Sequence, residues 1–251
     1  MGKIIAVVNQ KGGVGKTTTT VNLTAALTEA GKKVLMCDFD PQANATSGFG
    51  VDKRKVKYSV YDVIVNEVPA ESAIIKTRFG DVLPASADLA GAAVELLTLP
   101  EPNYRLKQAL DTVKDQYDLI FIDCPPSLEM LTLNGLAAAN GILVPVQCEY
   151  YALEGLSDLM STLRAVKKRM NPTLEIFGVA LTMFDGRTNF STQVAQEVRK
   201  HFPGKVYATV IPRNIRLAEA PSHGLPVTAY DRSSKGANAY RAMAQEIIKK
   251  G

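Results

Sequence analysis

The chain has little that would staple it or anchor it in a membrane. Its 251 residues include three cysteines, Cys37, Cys124 and Cys148. An odd number without C-x-x-C spacing argues against a disulfide framework and a zinc site, and points to a reducing compartment. No run of about 18 apolar residues is present to span a bilayer. The N-terminus enters an apolar segment with no charged and apolar leader before it, so a cytoplasmic protein is expected. Internal repeats and Pro-, Gly- or Ser-rich linkers are also lacking, so 1–251 is expected to form one domain.

What is present is the composition of an ordinary globular protein, 46% hydrophobic and 22% charged, with enough apolar residues for a sizeable core. The net charge is only +4, but it is uneven. Arg164 to Arg216 holds ten Lys or Arg against three acids. Such asymmetry suits a polyanion partner for the C-terminal half, and equally a set of solvated helix faces.

The chemistry is concentrated in Asn9-Gln10-Lys11-Gly12-Gly13-Val14-Gly15-Lys16-Thr17-Thr18. This stretch lies between an apolar run, Lys3 to Val8, and a segment of helical spacing, Thr18 to Ala30. Gly12, Gly13 and Gly15 let backbone N–H groups wrap a phosphate chain that a Cβ would obstruct. Lys16 supplies a point charge for terminal phosphates and the Thr17 hydroxyl a ligand for Mg²⁺. The following helix aims its positive end at the same anion. Lys11 is an extra cation within the loop, able to serve its own chain's nucleotide or to reach a neighbour's.

Further along, apolar runs repeatedly end in polar residues. Val34 to Cys37 leads into Asp38-Phe39-Asp40-Pro41-Gln42, which places two carboxylates near the carboxyl edge of a sheet, where ligands of open α/β folds bind. Leu119 to Ile122 ends in Asp123-Cys124-Pro125-Pro126, the form of a strand whose terminal acid holds a Mg²⁺ shell. Strands are also expected at Asp81 to Pro84, Ile142 to Val146, Leu174 to Met183 and Val206 to Ile211. Helices are expected at Ser59 to Val65, Asp88 to Leu97, Tyr104 to Tyr117, Tyr151 to Met170, Ser191 to Phe202 and Ala237 to Lys250. Strands alternating with helices imply an α/β fold, a mostly parallel twisted sheet with helices on both faces.

Taken together, the glycine loop, Asp38 to Gln42, Phe121 to Pro126, Met183-Phe184-Asp185-Gly186-Arg187-Thr188-Asn189 and Ile211-Pro212-Arg213-Asn214 resemble the ParA family of DNA-partitioning ATPases. Its chromosomal members are called Soj. The resemblance covers essentially the whole chain, and Lys11 marks the wider deviant Walker A group of phosphate-loop NTPases, which includes MinD and the nitrogenase iron protein. It implies ATP or ADP with Mg²⁺ as ligands. Lys11, Gly12, Gly13, Val14, Gly15 and Lys16 would form the cradle, with Lys16 on the β- and γ-phosphates, Thr17 on the metal and Thr18 on the α-phosphate. Lys11 would cross the interface of an ATP-sandwich homodimer, and Asp40 would position the attacking water. Asp38 and Asp123 would support the metal and the switch loops, and Pro212 and Asn214 would contact adenine.

The same resemblance implies non-specific binding of double-stranded DNA by the ATP dimer, a nucleoid-associated location, slow hydrolysis and stimulation by a ParB-type centromere-binding partner. Candidate DNA contacts are Arg187 and Arg216, with Lys167, Lys168 and Arg169 behind them. No helix-turn-helix extension precedes the loop, so sequence-specific autoregulation is not expected. Two rivals remain. A MinD-like membrane-cycling ATPase would need an amphipathic tail beyond the globular part, whereas the apolar face of the final helix reads as packing. An iron–sulfur donor would need two cysteines per chain converging on a dimer axis.

Overall fold

The computed structural model describes residues 2–149 and 152–250. Seven strands form one sheet: β1 (Lys3–Val7), β2 (Val34–Asp38), β3 (Ile75–Thr77), β4 (Gly80–Leu83), β5 (Leu119–Asp123), β6 (Gly141–Gln147) and β7 (Glu175–Thr182). Their spatial order is β3-β4-β2-β5-β1-β6-β7. Every pairing is parallel except the short β3–β4 pair at one edge. The helices of the first half are α1 (Lys16–Glu29), α2 (Asn44–Gly48), α3 (Val60–Ile64), α4 (Ala70–Ala73), α5 (Leu89–Glu95) and α6 (Arg105–Asp111). The second half adds α7 (Met130–Ala138), α8 (Ala152–Arg169), α9 (Asn189–His201), α10 (Ile215–Glu219), α11 (Val227–Tyr230) and α12 (Lys235–Lys250).

The central strands are buried on both faces, which is why they read as continuous apolar runs rather than alternating ones. Successive side chains still go to opposite sides. Leu119 and Phe121 of β5 join Leu23 and Leu27 of α1 and Tyr240, Met243 and Ile247 of α12 in one core. Ile120 and Ile122 point the other way, into a larger core with Leu106 and Leu110 of α6, Leu136 of α7 and Leu159 of α8. The apolar face of α12 is thus consumed by packing, as its pattern predicts: Ala237, Tyr240, Met243, Ala244 and Ile247 are all buried. Among the described residues, no helix is long and apolar enough to cross a membrane. All three cysteines are free and buried, burial raises each thiol's pKa, and none offers sulfur to a surface cluster.

The structure departs from expectation in places. The segment Val206 to Ile211 is not a strand of the sheet, although it runs beside β7 and makes scattered bonds to it, Tyr207 N–H to Val179 C=O at 3.0 Å and Ile211 N–H to Leu181 C=O at 2.8 Å. Between them the N–H groups of Ala208 and Thr209 turn instead to the Glu246 carboxylate on α12, at 2.9 and 3.1 Å, which interrupts the ladder. The helix expected over Tyr104 to Tyr117 ends at Asp111, with a 3₁₀ turn at Lys114–Gln116. Strand β3 and helices α2, α4, α7, α10 and α11 were not anticipated. The expected start of α8 at Tyr151 lies outside the described residues.

Candidate active site

The glycine-rich loop leaves β1 at the centre of the sheet, and α1 begins at Lys16 itself rather than at Thr18. Gly15, just before it, has φ +91° and Gly13 has φ +74°, backbone conformations that a Cβ would strain. A Cβ on Gly12 or Gly13 would meet no protein atom within 4 Å. The loop is therefore an open cradle whose backbone faces space. Two long-range bonds hang it from neighbouring strands. The Asn9 side-chain amide donates to Pro145 C=O of β6 at 2.8 Å while its oxygen accepts the Lys11 N–H at 3.0 Å. The Thr182 hydroxyl, closing β7, donates to Val14 C=O at 2.8 Å.

Lys16 is 7% exposed. Its ammonium donates to Lys11 C=O at 3.2 Å. Burial lowers its pKa, and the charges of Asp123, Cys124 and Asp40 oppose that shift. An anion in the cradle would favour the charged form further. Beneath it, β2 and β5 pair in parallel so that Asp38 lies directly opposite Asp123. Both acids are wholly buried and both carboxyls are pushed above the ordinary range, primarily by burial.

The two carboxylates differ in their partners. Asp38 Oδ2 accepts the Thr46 hydroxyl at 2.6 Å and the Thr46 N–H at 2.7 Å, and Oδ1 accepts the Asp40 N–H at 3.3 Å. Its oxygens are thus committed to the turn after β2. Asp123 Oδ1 lies 3.1 Å from the Thr20 hydroxyl, which also points at Lys16 C=O. Asp123 Oδ2 is buried with no hydrogen-bond partner. The Thr17 hydroxyl lowers the acid's pKa from nearby without closing a hydrogen bond to Oδ2. A buried, half-satisfied carboxylate beside a hydroxyl and an open anion cradle is the donor set that a hydrated Mg²⁺ and a phosphate chain would complete.

Asp40 sits in the turn after β2, where its Oδ1 accepts the Gln42 N–H at 2.9 Å. Pro212 and Asn214 line a cavity of about 350 Å³ that also includes Gly15, Thr18, Thr182 and Met183. The cavity therefore opens beside the phosphate loop. Asn214 additionally caps α10, its Oδ1 accepting the Arg216 N–H at 3.1 Å, which leaves its amide N–H₂ as the free polar group.

The basic candidates do not form one patch. Arg187 and Arg216 follow β7, on the same edge of the sheet as the loop. Arg187 forms a two-point pair with Asp185, at 2.8 and 2.7 Å, and is widely exposed. Arg216 bridges Glu219 and Asp231. Lys167, Lys168 and Arg169 occupy the last turn of α8, before β7 begins, at the opposite edge. A strand of 8 residues separates the two groups, about 25 Å at the usual rise. Lys167 shares a groove there with Arg164 and Lys205.

Sequence reasoning missed Asn9, Thr20, Thr46 and Thr182. One signal was available: Thr182 closes an apolar run as Asp38 and Asp123 do. Asn9 and Thr20 reveal themselves through partners distant in the chain, Pro145 and Asp123, and Thr46 through a turn that folds it back onto Asp38.

Comparison with known proteins agrees with this geometry. A family model described as an AAA domain matches residues 2–176. The sporulation initiation inhibitor protein Soj of Bacillus subtilis is 55% identical, covering 100% of both chains. The chromosome partitioning protein ParA of Myxococcus xanthus is 48% identical over 100% of this chain and 89% of its own. Among solved structures, cobyrinic acid a,c-diamide synthase from Mycobacterium smegmatis, with bound ADP and magnesium, superposes with a TM-score of 0.86 at 40% identity, covering 99% of this chain and 95% of that one. Full-length identity at this level, joined to a phosphate loop at the head of α1 and two facing acids at the ends of β2 and β5, places the chain in the Soj/ParA family of chromosome-partitioning proteins.

Proposed function

We propose that the chain, acting as one domain over 1–251, is an ATP-dependent partitioning ATPase that converts ATP and water to ADP and phosphate. The observation that carries this reading is the partnerless Asp123 Oδ2 buried beneath an open glycine cradle and beside Lys16. The Mycobacterium neighbour's bound ADP and magnesium support it.

In this reading the backbone of Gly12 to Gly15 holds the phosphate chain, Lys16 exchanges Lys11 C=O for the β- and γ-phosphates, and Thr18 reaches the α-phosphate. Thr17 and the free oxygen of Asp123 would hold Mg²⁺, which supplies charge neutralisation on the leaving and transferred phosphates. Asp38 acts one step back, fixing the turn that carries Asp40. Asp40 orients the attacking water, and Pro212 and Asn214 receive adenine. Little covalent work falls to the protein, so positioning and electrostatics carry the rate. Lys11 reaches the nucleotide of a second copy, which makes ATP the condition for a homodimer.

The dimer binds DNA without sequence preference through phosphate contacts, and a ParB-type partner stimulates hydrolysis at the nucleoid. Arg187 and Arg216, on the nucleotide edge, are the contacts that dimerisation brings together. Lys167, Lys168 and Arg169 form a separate, weaker surface. A DNA mobility-shift series with ATP or ADP at two salt concentrations tests the reading. Retention should require ATP, fall steeply with salt, and be lost in Lys16→Ala and in Arg187→Ala with Arg216→Ala. Equal retention with ADP would overturn it.

A further inference from the structure

The phosphate loop departs from β1 at a point where the main-chain ladder runs out. The last rung is Val8 N–H to Leu143 C=O on β6, at 3.0 Å. In a parallel pair the next acceptor along the same edge lies two residues on, at Pro145. Its carbonyl is met not by a backbone N–H but by the side-chain amide of Asn9, at 2.8 Å. The same carboxamide uses its oxygen to accept the Lys11 N–H at 3.0 Å. Asn9 is 7% exposed, and its bond to Pro145 is buried while the one to Lys11 is partly buried.

Lys11 is therefore gripped on both sides of its Cα. Its C=O is held by the Lys16 ammonium at 3.2 Å, and its N–H by Asn9. The two grips differ in permanence. On the reading of Lys16 above, that ammonium leaves Lys11 when a phosphate chain arrives, and the carbonyl is released. The Asn9 grip involves no group that the nucleotide needs. We infer that Asn9 is a positioning residue for Lys11: it extends the β1–β6 ladder by one side-chain rung and thereby keeps the Lys11 backbone fixed to the sheet while nucleotide is bound, so that the lysine is presented to a second copy of the chain.

This rests on the assignment of Lys11 to the dimer contact, and the experiment separates the two. Asn9→Ala, Asn9→Asp and Lys11→Ala are compared with the wild type for binding of a fluorescent ATP analogue by dilute protein and for ATP-dependent dimerisation by analytical ultracentrifugation. Exchange of the Lys11 amide is followed by NMR. Loss of the buried hydrogen bond to Pro145 predicts that Asn9→Ala, compared with the wild type at saturating analogue, dimerises about tenfold more weakly, with faster Lys11 exchange. Asn9→Asp keeps an acceptor for Lys11 but opposes the Pro145 carbonyl with another oxygen. It should retain slow Lys11 exchange and still lose dimer affinity. Wild-type dimerisation in whichever of the two Asn9 variants folds would overturn the inference. Wild-type dimerisation in Lys11→Ala would overturn the assignment of Lys11 instead.

Discussion

Thr182→Val removes one hydroxyl from the end of β7 and leaves the shape of the side chain unchanged. In the wild type that hydroxyl donates to Val14 C=O at 2.8 Å. Both residues are only 2% exposed, so water cannot take its place without the loop moving. An unsatisfied buried carbonyl costs about 1–3 kcal/mol. The loop escapes most of that cost by shifting Val14 outward, and the shift displaces the adjoining Gly15 from the geometry a phosphate requires. Restoring that geometry on binding then opposes affinity by the same amount. At 1.4 kcal/mol per tenfold, ADP should bind about fivefold to about 150-fold more weakly. Isothermal titration with ADP and Mg²⁺, alongside urea unfolding, measures both sides of this balance. Thr182→Ser, which keeps the donor, should remain within about threefold of the wild type. If Thr182→Val bound ADP as the wild type does and unfolded at the same urea concentration, the bond to Val14 would have no part in shaping the cradle.

Three further outcomes are expected. Asp123 has its carboxyl raised by burial and then by the neighbouring charge of Asp38, whereas in the unfolded chain it ionises near pH 4. Above that pH the folded state holds the extra proton, so this acid's contribution to stability declines as pH rises towards its folded pKa. Nucleotide-free Asp123→Asn should therefore melt above the wild type by a margin that widens between pH 5 and pH 8; a constant margin would contradict the raised pKa. Lys53→Ala removes an ammonium that donates to Gln42 C=O at 2.6 Å, next to the N–H that holds Asp40. Because the bond is exposed, a fall in kcat of only about twofold to fivefold is expected at unchanged KM for ATP, and a changed KM with unchanged kcat would place Lys53 elsewhere. A Cβ at Gly178 would stand 2.3–2.7 Å from the buried Tyr207 ring. Overpacking of about 1–3 kcal/mol then predicts that Gly178→Ala lowers Tm by roughly 3–10 °C by calorimetry, and an unchanged Tm would show that the ring has room to retreat.

The catalytic edge was legible because its chemistry is written in contiguous residues. A glycine loop between an apolar run and a helix, and acids ending apolar runs, need no partner to be recognised. The bonds that hold this edge in shape are of another kind. Asn9 meets Pro145 and Thr182 meets Val14 across separations of 136 and 168 residues, and although Thr182 closes an apolar run, nothing local names the partner of either side chain. Val206 to Ile211 has the pattern of a strand, and what stops it from becoming one is Glu246 on α12. The run of basic residues from Arg164 to Arg216 looked like one surface because it is one stretch of chain. Strand β7 passes through the middle of it and sends its two ends to opposite poles.

The pairing of β2 with β5 makes the sheet a ruler. Asp38 and Asp123 are far apart in the chain yet sit at one level because five consecutive residue pairs, from Val34 with Leu119 onward, fix the register. Val7, from which the loop departs, is matched to the same rung. Inserting residues in the loops between β4 and β5 leaves those three levels aligned, so those loops can grow or acquire new contacts. Deleting a single residue within β2 is different in kind: it exchanges the two faces of the strand and turns Asp38 away from Thr46. The distance that matters for this chemistry is counted in rungs, and the chain tolerates variation wherever the count is not disturbed.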